Sequence, residues 1–583
     1  MSINLNLSAS KSLRLAIGLS SLLVATFSVS DSSALSSSDA IPSGKPEAHT
    51  KGVFGDKHDW PIIPIAMMLM PNGTVFAYGT GASGTVTDDQ QDTQQYAVWD
   101  TSIAPDWIPG SITTPAFKLL PNGTKSNIFC SAQVHLLGNR ALVLGGDVDD
   151  VLGAATNAGN KNVVVFESEN IGTGQPSITN RYKMPQPRWY PTAVTLPNRD
   201  TLVLGGQLTP FKMNDPDTTA DDVPATYPIS TPDIRADGGW LWRTLTNAGG
   251  TAQPLGNRAY GSEVSSWFYP RAWVDPIGTV FILTSYGEMY KLDTAGSGTL
   301  TQYIVPKIDN SLTNMSSVMF APGKILSIRK YRQAAIVDIN GLVDGLKPSV
   351  TWAMPMLKDR QFGSLTVLAD GKVWANGGTD HKAVKKATDE ETKTEIQLEI
   401  DGTHLDSEIW DPDFPSAPWK KAATAAVSRH YHSSALLLPD GSVITAGGGA
   451  HGPWTNLNSE IYYPPYLFDP TTDKPAARPT IEMIKDGIVS ILTTPIHWNR
   501  TMTITAGAGN KITRITLVRA GAATHTFNNE TRFFELKIST GIGTRVVTVN
   551  TPANNKRAPP GYYMVFAWNE FGVPSVSKII EIS

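Results

Sequence analysis

The chain has 583 residues, of which 41% are hydrophobic and 17% are charged, with 50 glycines, 41 prolines and a formal net charge of -4. This length allows one large repeat architecture plus a smaller domain, and the glycine and proline content favours a β-rich fold over a helical one. Because no dense run of lysine and arginine occurs, the composition argues against nucleic-acid binding.

Residues 1–35 are predicted to be an export signal. Lys11 and Arg14 supply positive charge, the apolar run from Leu15 to Val29 follows, and small residues come next. Since this run is short for a membrane span, we expect no stable membrane insertion; an uncleaved anchor is the alternative. Residues 36–50 are rich in serine and proline and are predicted to be a flexible linker. We therefore expect a secreted or periplasmic protein.

Seven segments within residues 51–472 repeat one pattern of an apolar strand, a polar turn and a second apolar strand. Their turns lie at Gly73, Gly138, Asn198, Gly278, Gly323, Gly371 and Gly441. Such turns between apolar runs are typical of β-hairpins. A hairpin that recurs at about 50 residues, with a double glycine after the second strand, is typical of a kelch-type β-propeller. The pattern predicts seven blades; an unclosed array of β-sheets is the alternative.

Residues 473–583 follow a proline-rich junction and show a different pattern. Short alternating strands such as TMTITAG, KITRITLV and TRVVTVN occur here, and the chain ends in PPGYYMVFAWNEFGVPSVSKIIEI plus a final serine. The spacing and length predict a small β-sandwich of the immunoglobulin type. The predicted fold is thus all-β, with a seven-bladed propeller followed by a C-terminal sandwich.

Four side chains share one register position in the repeat. Cys130, Tyr190, Phe362 and His432 each precede the first residue of a double glycine by 15 residues. Since the inner strands of a propeller line its central channel, equivalent positions in different blades converge at one end of that channel. We therefore expect these four side chains to meet.

The side chains at this position are suited to a metal site. Together with Tyr431, they include a thiol, two phenols and an imidazole, and nitrogen and oxygen donors of this kind suit copper(II). The alternative is structural, because a buried cysteine usually packs as a small apolar residue. Cys130 is the single cysteine of the chain, so it has no disulfide partner within it.

Four motifs carry a resemblance to the galactose oxidase/glyoxal oxidase family of radical-copper oxidases. They are NIFCSAQ around Cys130, QPRWYPTA around Tyr190, SRHYHSSALLLPDG around Tyr431 and His432, and AATHTFNNETR around His525. The C-terminal PPGYYMVFAWNEFGVPSVSKII is also similar to the last domain of that family. The resemblance covers nearly all of the chain after the predicted signal.

The resemblance implies a role for each residue. Tyr190 would bind Cu(2+) and be joined to Cys130 by a thioether bond, which gives a radical cofactor built from the chain itself. Tyr431 would be the axial ligand and the base that accepts the substrate hydroxyl proton. His432 and His525 would be the nitrogen ligands, with His525 carried into the channel by a C-terminal-domain loop.

The resemblance also implies the reaction, the oxidation of a primary alcohol or small aldehyde by O2 with release of H2O2. Galactose oxidase has a tryptophan after the double glycine of the Tyr190 blade; here the segment is GGQLTPFKMND, with Phe211 nearby. Trp189 and Phe362 are candidate substrate contacts. Arg188 is a candidate to orient a carbonyl or hydrate, or else forms a salt bridge.

A secreted propeller that binds glycan or protein without catalysis is the competing hypothesis. The presence of Cys130, Tyr190, Tyr431, His432 and His525 together argues against it, since a binding module needs no thiol in register with a ligand tyrosine. A propeller lyase or hydrolase would need paired carboxylates or a nucleophile in the channel, and the register positions supply none. We expect a monomer whose partners are a small alcohol or aldehyde and O2.

Overall fold

The computed structural model describes residues 41–80, 95–148, 158–169, 173–208, 229–249, 259–260, 264–306, 308, 316–380, 384–388, 395–399, 403–448, 456–487, 489–490 and 495–583. The predicted export signal, residues 36–40 of the predicted linker and Phe211 lie outside these residues. Among the described residues, no helix is long and apolar enough to span a bilayer.

Strands dominate the first part of the chain. In chain order they are β1 (Val53–Asp59), β2 (Ile63–Leu69), β3 (Thr74–Thr80), β4 (Gln95–Asp100), β5 (Phe117–Pro121), β6 (Ala132–Leu136), β7 (Arg140–Leu144), β8 (Asn160–Glu167), β9 (Ser177–Thr195), β10 (Thr201–Gln207), β11 (Asp233–Arg235), β12 (Trp242–Thr244), β13 (Arg271–Val274), β14 (Val280–Leu283), β15 (Met289–Asp293), β16 (Thr299–Gln302), β17 (Ser317–Ala321), β18 (Lys324–Ile328), β19 (Ala334–Asp338), β20 (Ser349–Trp352), β21 (Ser364–Val367), β22 (Val373–Asn376), β23 (Val384–Thr388), β24 (Glu395–Glu399), β25 (Asp406–Trp410), β26 (Lys420–Thr424), β27 (Ser433–Leu437), β28 (Val443–Gly447) and β29 (Asn458–Tyr463).

These strands form seven antiparallel blades in the part of the chain that the structure describes. The blades are β2–β5, β6–β9, β9–β12, β13–β16, β17–β20, then β21, β22, β25 and β26, and finally β27–β29 with β1. The 19-residue β9 serves two blades, since it is the outer strand of the second and the inner strand of the third. Each predicted hairpin forms the two inner strands of a blade, which confirms the seven-bladed propeller.

The inner strands are buried on both faces, which explains their continuous apolar sequences. Every residue of β2 and of β10 is buried. Side chains link neighbouring blades at this level: Ser434 Oγ donates to the Ile65 carbonyl oxygen at 2.6 Å, and Gln133 Nε2 donates to the Met67 carbonyl oxygen at 3.4 Å. The blades therefore pack as one closed structure around the channel.

The seventh blade closes the ring by joining the two ends of the propeller. β1 pairs antiparallel with β29, with Val53 opposite Tyr463 and Asp59 opposite Asn458. Just before β1, the short helix α1 (Ala48–Lys51) is fixed by Asp473, whose carboxylate accepts from the His49 backbone N–H at 3.0 Å. Four 3-10 turns complete the non-strand elements with assigned bounds: Thr246–Ala248, Val264–Trp267, Asn340–Asp344 and Pro465–Leu467.

The C-terminal residues form a β-sandwich, as predicted. Its strands are β30 (Ile481–Asp486), β31 (Val489–Ser490), β32 (Thr501–Ala506), β33 (Ile512–Arg519), β34 (Ala522–Thr524), β35 (Phe527–Asn528), β36 (Phe533–Leu536), β37 (Ile538–Thr540), β38 (Val546–Asn550), β39 (Gly561–Asn569) and β40 (Lys578–Ile582). One sheet has the order β31-β30-β32-β38-β37 and the other β36-β33-β39-β40. Ile504 and Val547 of the first sheet share a buried core with Leu517 and Val565 of the second.

The hairpin β34–β35 leaves the sandwich and joins the propeller. β34 pairs antiparallel with β2, the inner strand of the first blade, with Ala66 opposite Thr524 and Met68 opposite Ala522. The C-terminal domain therefore adds a strand on the channel side of a blade. The tip of this hairpin, at His525, therefore lies at the end of the channel where the register residues were predicted to meet.

Candidate metal centre

The ring position predicted from the double glycines has an unusual backbone conformation. Cys130, Tyr190, Tyr269, Phe362 and His432 all have positive φ angles, of 57°, 61°, 43°, 60° and 66°. A left-handed conformation in a residue other than glycine costs on the order of 1–3 kcal/mol and is found mainly at functional sites. Five such residues at one level of a propeller therefore mark this end of the channel as a candidate site.

Tyr269 is a member of this ring that the sequence reasoning missed. It lies 15 residues before Thr284, which occupies the place of the first glycine in its blade. Counting back from a double glycine was not possible in this blade, because Thr284 and Ser285 follow its second strand in place of the two glycines. Counting from Thr284 would have found the residue.

The left-handed residues bring neighbouring side chains to the same side. In a regular strand, successive side chains point to opposite faces, and a positive φ interrupts this alternation. The Trp189 and Tyr190 rings consequently lie 3.9 Å apart, and the Tyr431 and His432 rings stack at 3.8 Å. Two blades thus bring consecutive aromatic rings together beside the channel.

Backbone hydrogen bonds fix three members of the ring relative to one another. The Tyr190 N–H donates to the Cys130 carbonyl oxygen at 3.0 Å, and the Tyr269 N–H donates to the Tyr190 carbonyl oxygen at 2.8 Å. These bonds link the start of three successive blades. The positions of Cys130 and Tyr190 are therefore set by the main chain and not only by side-chain packing.

The predicted donors converge on one buried point. The hydroxyl oxygens of Tyr190 and Tyr431 lie 2.5 Å apart, and Cys130 Sγ lies 3.4 Å from His525 Nε2. The metal-binding atoms of Cys130, His432 and His525 all lie within 4.8 Å of one another. The structure therefore brings together the five residues that the motifs singled out.

Burial controls the protonation of these groups. It raises the pKa of the Tyr190 phenol well above its usual value, and Cys130 and Tyr431 raise it further. Burial also raises the pKa of Tyr431 and that of the Cys130 thiol. It lowers the pKa of His525 to about 3, with a contribution from Arg271. His525 is therefore neutral at pH 7, the form in which imidazole binds metals.

The donor set fits copper(II). Two imidazoles and two phenols are nitrogen and oxygen donors of the kind that favour this ion. Buried phenols remain protonated unless a positive charge is added, and a bound divalent cation supplies that charge. A copper ion held by Tyr190, Tyr431, His432 and His525 would therefore stabilise both phenolates. Cys130 lies beside this donor set, in one buried cluster with Tyr190.

Two of the three candidate substrate contacts lie at this site. The Trp189 ring packs over Tyr190, tilted by 31°, and Trp189 is 9% exposed. The Phe362 ring lies 5.3 Å from the Tyr431 ring. Trp189 therefore covers Tyr190 from the preceding position in the strand, although the segment after the double glycine carries no tryptophan.

Arg188 is not brought into this group. It is fully buried within its own blade, where it pairs with Asp233 at 2.7 Å and donates to the Gly205 carbonyl oxygen at 2.6 Å. Arg360 does the same in the sixth blade, pairing with Glu408 at 2.7 Å and donating to a glycine carbonyl oxygen. The recurrence of this arrangement indicates a structural role for Arg188 as a salt bridge within the blade.

Comparisons with known proteins agree with this site. Residues 478–582 match the family model "Galactose oxidase-like, Early set domain". The chain is 31% identical over 226 residues to a galactose oxidase of Gibberella zeae, covering 38% of this chain and 29% of that protein. It is 34% identical over 176 residues to the aldehyde oxidase GLOX of Vitis pseudoreticulata, covering 27% of this chain and 30% of that protein. These matches span less than a third of either relative.

The fold has a counterpart among solved structures. A fungal alcohol oxidase of the AA5 family, in complex with copper, matches with a TM-score of 0.68 at 21% sequence identity, covering 92% of this chain and 100% of that chain. This likeness extends over the propeller and the sandwich alike. The chain is therefore related in sequence to the galactose oxidases and plant aldehyde oxidases, has their early set domain at residues 478–582, and shares its fold with a copper-binding AA5 alcohol oxidase.

Proposed function

We propose that this protein is a copper-radical oxidase that converts a primary alcohol to an aldehyde, or a small aldehyde to a carboxylic acid, with reduction of O2 to H2O2. The observation that carries the proposal is the convergence of Cys130, Tyr190, Tyr431, His432 and His525 on one buried point. These residues come from three blades and a second domain. A thiol, two phenols and two imidazoles within this small volume have no evident purpose in a binding propeller.

Copper would accept one electron from the substrate when it is bound by Tyr190, Tyr431, His432 and His525. Oxidation of an alcohol removes two electrons, so a second one-electron group is needed. A phenol with a sulfur substituent next to its hydroxyl is easier to oxidise than a plain phenol. Tyr190, joined to Cys130, would be that second group.

The cross-link would form without another enzyme. The Cys130 S–H bond and one Tyr190 ring C–H bond are replaced by a C–S bond, which releases two protons and two electrons. O2 accepts both pairs and becomes H2O2. The backbone hydrogen bond between the two residues and their packing in one buried cluster support this step, because they hold both partners in place before reaction.

The two tyrosines would divide the work of substrate oxidation. Tyr431, as phenolate, accepts the substrate hydroxyl proton, and the Tyr190–Cys130 radical takes a hydrogen atom from the adjacent carbon. Their oxygens lie 2.5 Å apart, so one small substrate can reach both. An aldehyde would enter this scheme as its hydrate, whose hydroxyl and C–H groups are equivalent to those of an alcohol.

The surroundings support a small substrate rather than galactose. Near Tyr190 and Tyr431 the described side chains are mainly aromatic: Trp189, Phe268 and Phe362 all pack against these rings. Recognition of a sugar requires several polar groups aimed at its hydroxyls. An apolar wall of this kind suits a simple alcohol or aldehyde. With the predicted export signal, we further propose an extracellular or periplasmic location and action as a monomer.

A peroxide assay tests the proposal. The protein is loaded with Cu(II) in air and supplied in turn with primary alcohols, small aldehydes and galactose, while H2O2 is measured. We expect release of H2O2 with at least one alcohol or aldehyde, weaker release with galactose, and none from Tyr190→Phe. No release with any alcohol or aldehyde, or equal release by Tyr190→Phe, would refute the proposed function.

A further inference from the structure

The His525 ring is held by a hydrogen bond on the side away from the site. Its Nδ1 lies 2.7 Å from Thr524 Oγ1, while its Nε2 faces Cys130 Sγ at 3.4 Å. If Nε2 binds the metal, it carries no proton, so Nδ1 is protonated and donates to Thr524. The hydrogen bond to Thr524 is therefore specific to one tautomer of His525.

Tyr269 also contacts the His525 ring. The two ring centroids lie 4.9 Å apart, and the Tyr269 hydroxyl donates to the Ser131 carbonyl oxygen at 3.1 Å. This hydrogen bond anchors the Tyr269 ring to the backbone of the residue next to Cys130. The His525 ring is therefore held by the Thr524 hydroxyl at Nδ1 and by the anchored ring of Tyr269.

Burial makes these hydrogen bonds effective. His525 is 1% exposed, Tyr269 3% and Thr524 8%, so water cannot replace a lost partner. The hairpin tip is also strained, since His525 and Thr526 have φ angles of 49° and 63°. His525 is a proposed ligand at the strained tip of a hairpin from another domain, so contacts outside the hairpin are needed to fix its ring. The Tyr269 ring packs against the His525 ring at 4.9 Å and supplies such a contact.

We propose that Thr524 and Tyr269 are positioning residues for His525, which fix its tautomer and ring orientation so that Nε2 faces the metal donors. The inference rests on the proposed function, because it assigns His525 as a copper ligand. It adds two residues that act through that ligand without touching copper. Partners of this kind change metal affinity by about 10–100-fold when removed.

Three variants and two matched controls separate a positioning role from a packing role. Thr524→Val removes the hydroxyl but keeps the shape, and Thr524→Ser keeps the hydroxyl. Tyr269→Phe removes only the hydroxyl and keeps the ring contacts. As matched controls, Thr516→Val and Tyr563→Phe remove buried hydroxyls that donate to the Ala369 carbonyl oxygen at 2.8 Å and to the Pro559 carbonyl oxygen at 2.7 Å. Neither hydroxyl bonds His525, Tyr269 or Ser131.

The experiment measures Cu(II) affinity by chelator competition under anaerobic conditions, the EPR spectrum of the Cu(II) protein, and the melting temperature of the metal-free protein. We expect about 10–100-fold weaker binding in Thr524→Val, a smaller loss in Tyr269→Phe, and a changed nitrogen superhyperfine pattern in both. Thr524→Ser should regain most of the affinity, and the two controls should keep wild-type affinity and spectrum.

The outcomes separate the inference from the proposed function. If the wild type binds copper and both variants keep its affinity and spectrum, or lose affinity no more than the controls do, the positioning role is refuted and the oxidase proposal stands. If the wild type itself binds no Cu(II), both proposals fail together.

Discussion

The hydroxyl oxygens of Tyr190 and Tyr431 lie 2.5 Å apart although 241 residues separate them in the chain. Tyr190 lies in the inner strand of the third blade, and Tyr431 lies two residues before the start of the inner strand of the seventh. The contact exists because equivalent positions of a propeller face one channel. It places two phenols where one ion and one substrate can engage both, and the predictions below depend on it.

Replacement of Cys130 by serine should separate copper binding from turnover. In the proposed site the tyrosines and histidines hold copper, so Cys130→Ser should bind Cu(II) with near wild-type affinity. Without the sulfur substituent, Tyr190 is harder to oxidise, and we expect H2O2 production to fall at least about 100-fold, or about 2.7 kcal/mol. Chelator competition and a peroxide assay measure the two quantities. Unchanged peroxide production would contradict the assigned role.

Replacement of Tyr431 by phenylalanine should remove the base. We expect kcat/KM for an alcohol to fall by about 10²–10⁴-fold, the range for loss of general acid–base catalysis. Loss of an oxygen ligand should also change the EPR spectrum of the Cu(II) protein. Tyr563→Phe is the matched control, since it also removes one buried hydroxyl. A Tyr431→Phe enzyme within about threefold of wild type would exclude proton transfer to Tyr431.

The Arg188–Asp233 pair should contribute to stability and not to substrate binding. Both side chains are fully buried, so Asp233→Asn leaves a buried charge without its partner and should lower the free energy of unfolding by about 3–5 kcal/mol. Urea denaturation measures this loss. The KM of the folded Asp233→Asn enzyme should be unchanged. A large change in KM with unaltered stability would instead assign Arg188 to the substrate site.

Glu530 should make stability depend on pH in the acid range. Burial raises the pKa of this carboxyl, but Arg519 and His135 lower it more, so the pKa in the folded state lies below its ordinary value. A carboxyl with a lowered pKa adds stability above about pH 4.3, its unfolded value, and this stability is lost as the pH falls through the folded value. The C-terminal domain should therefore loosen from the propeller in acid.

The variant Glu530→Gln tests this pH dependence. It should lower the free energy of unfolding at pH 7 by about 3–5 kcal/mol, as for other broken buried pairs, and should flatten the decline below about pH 4.3. Glu535→Gln is the control, because Glu535 pairs with Arg514 at the surface. Parallel stability curves for Glu530→Gln and wild type would show that Glu530 does not titrate as stated.

Local sequence patterns predicted the seven hairpins and four of the five ring residues. A turn and its flanking strands lie within about 15 residues, so their chemistry is readable without tertiary information. The same reasoning failed at Tyr269, because Thr284 stands where other blades have glycine. It also did not anticipate that Trp189 covers Tyr190, since strand alternation places consecutive side chains on opposite faces and only the left-handed conformation of Tyr190 reverses this.

Long-range pairings were beyond the reach of the pattern. β1 completes the seventh blade against β29, and β34 joins β2, yet neither pairing has a sequence period that would reveal it. His525 was recognised through the motif AATHTFNNETR and not through the repeat, because it comes from the other domain. The packing of Tyr269 against His525 likewise depends on the position of the hairpin in the channel, which no local pattern reveals.

Peptide mass spectrometry tests the central claim most directly. The purified protein is loaded with Cu(II) in air, denatured and digested, and the peptides that contain Cys130 and Tyr190 are weighed; a sample kept without copper is the control. The account predicts a single cross-linked species, two hydrogens lighter than the two peptides together, in the copper-treated sample alone. Separate, unmodified Cys130 and Tyr190 peptides after full copper loading in air would contradict it.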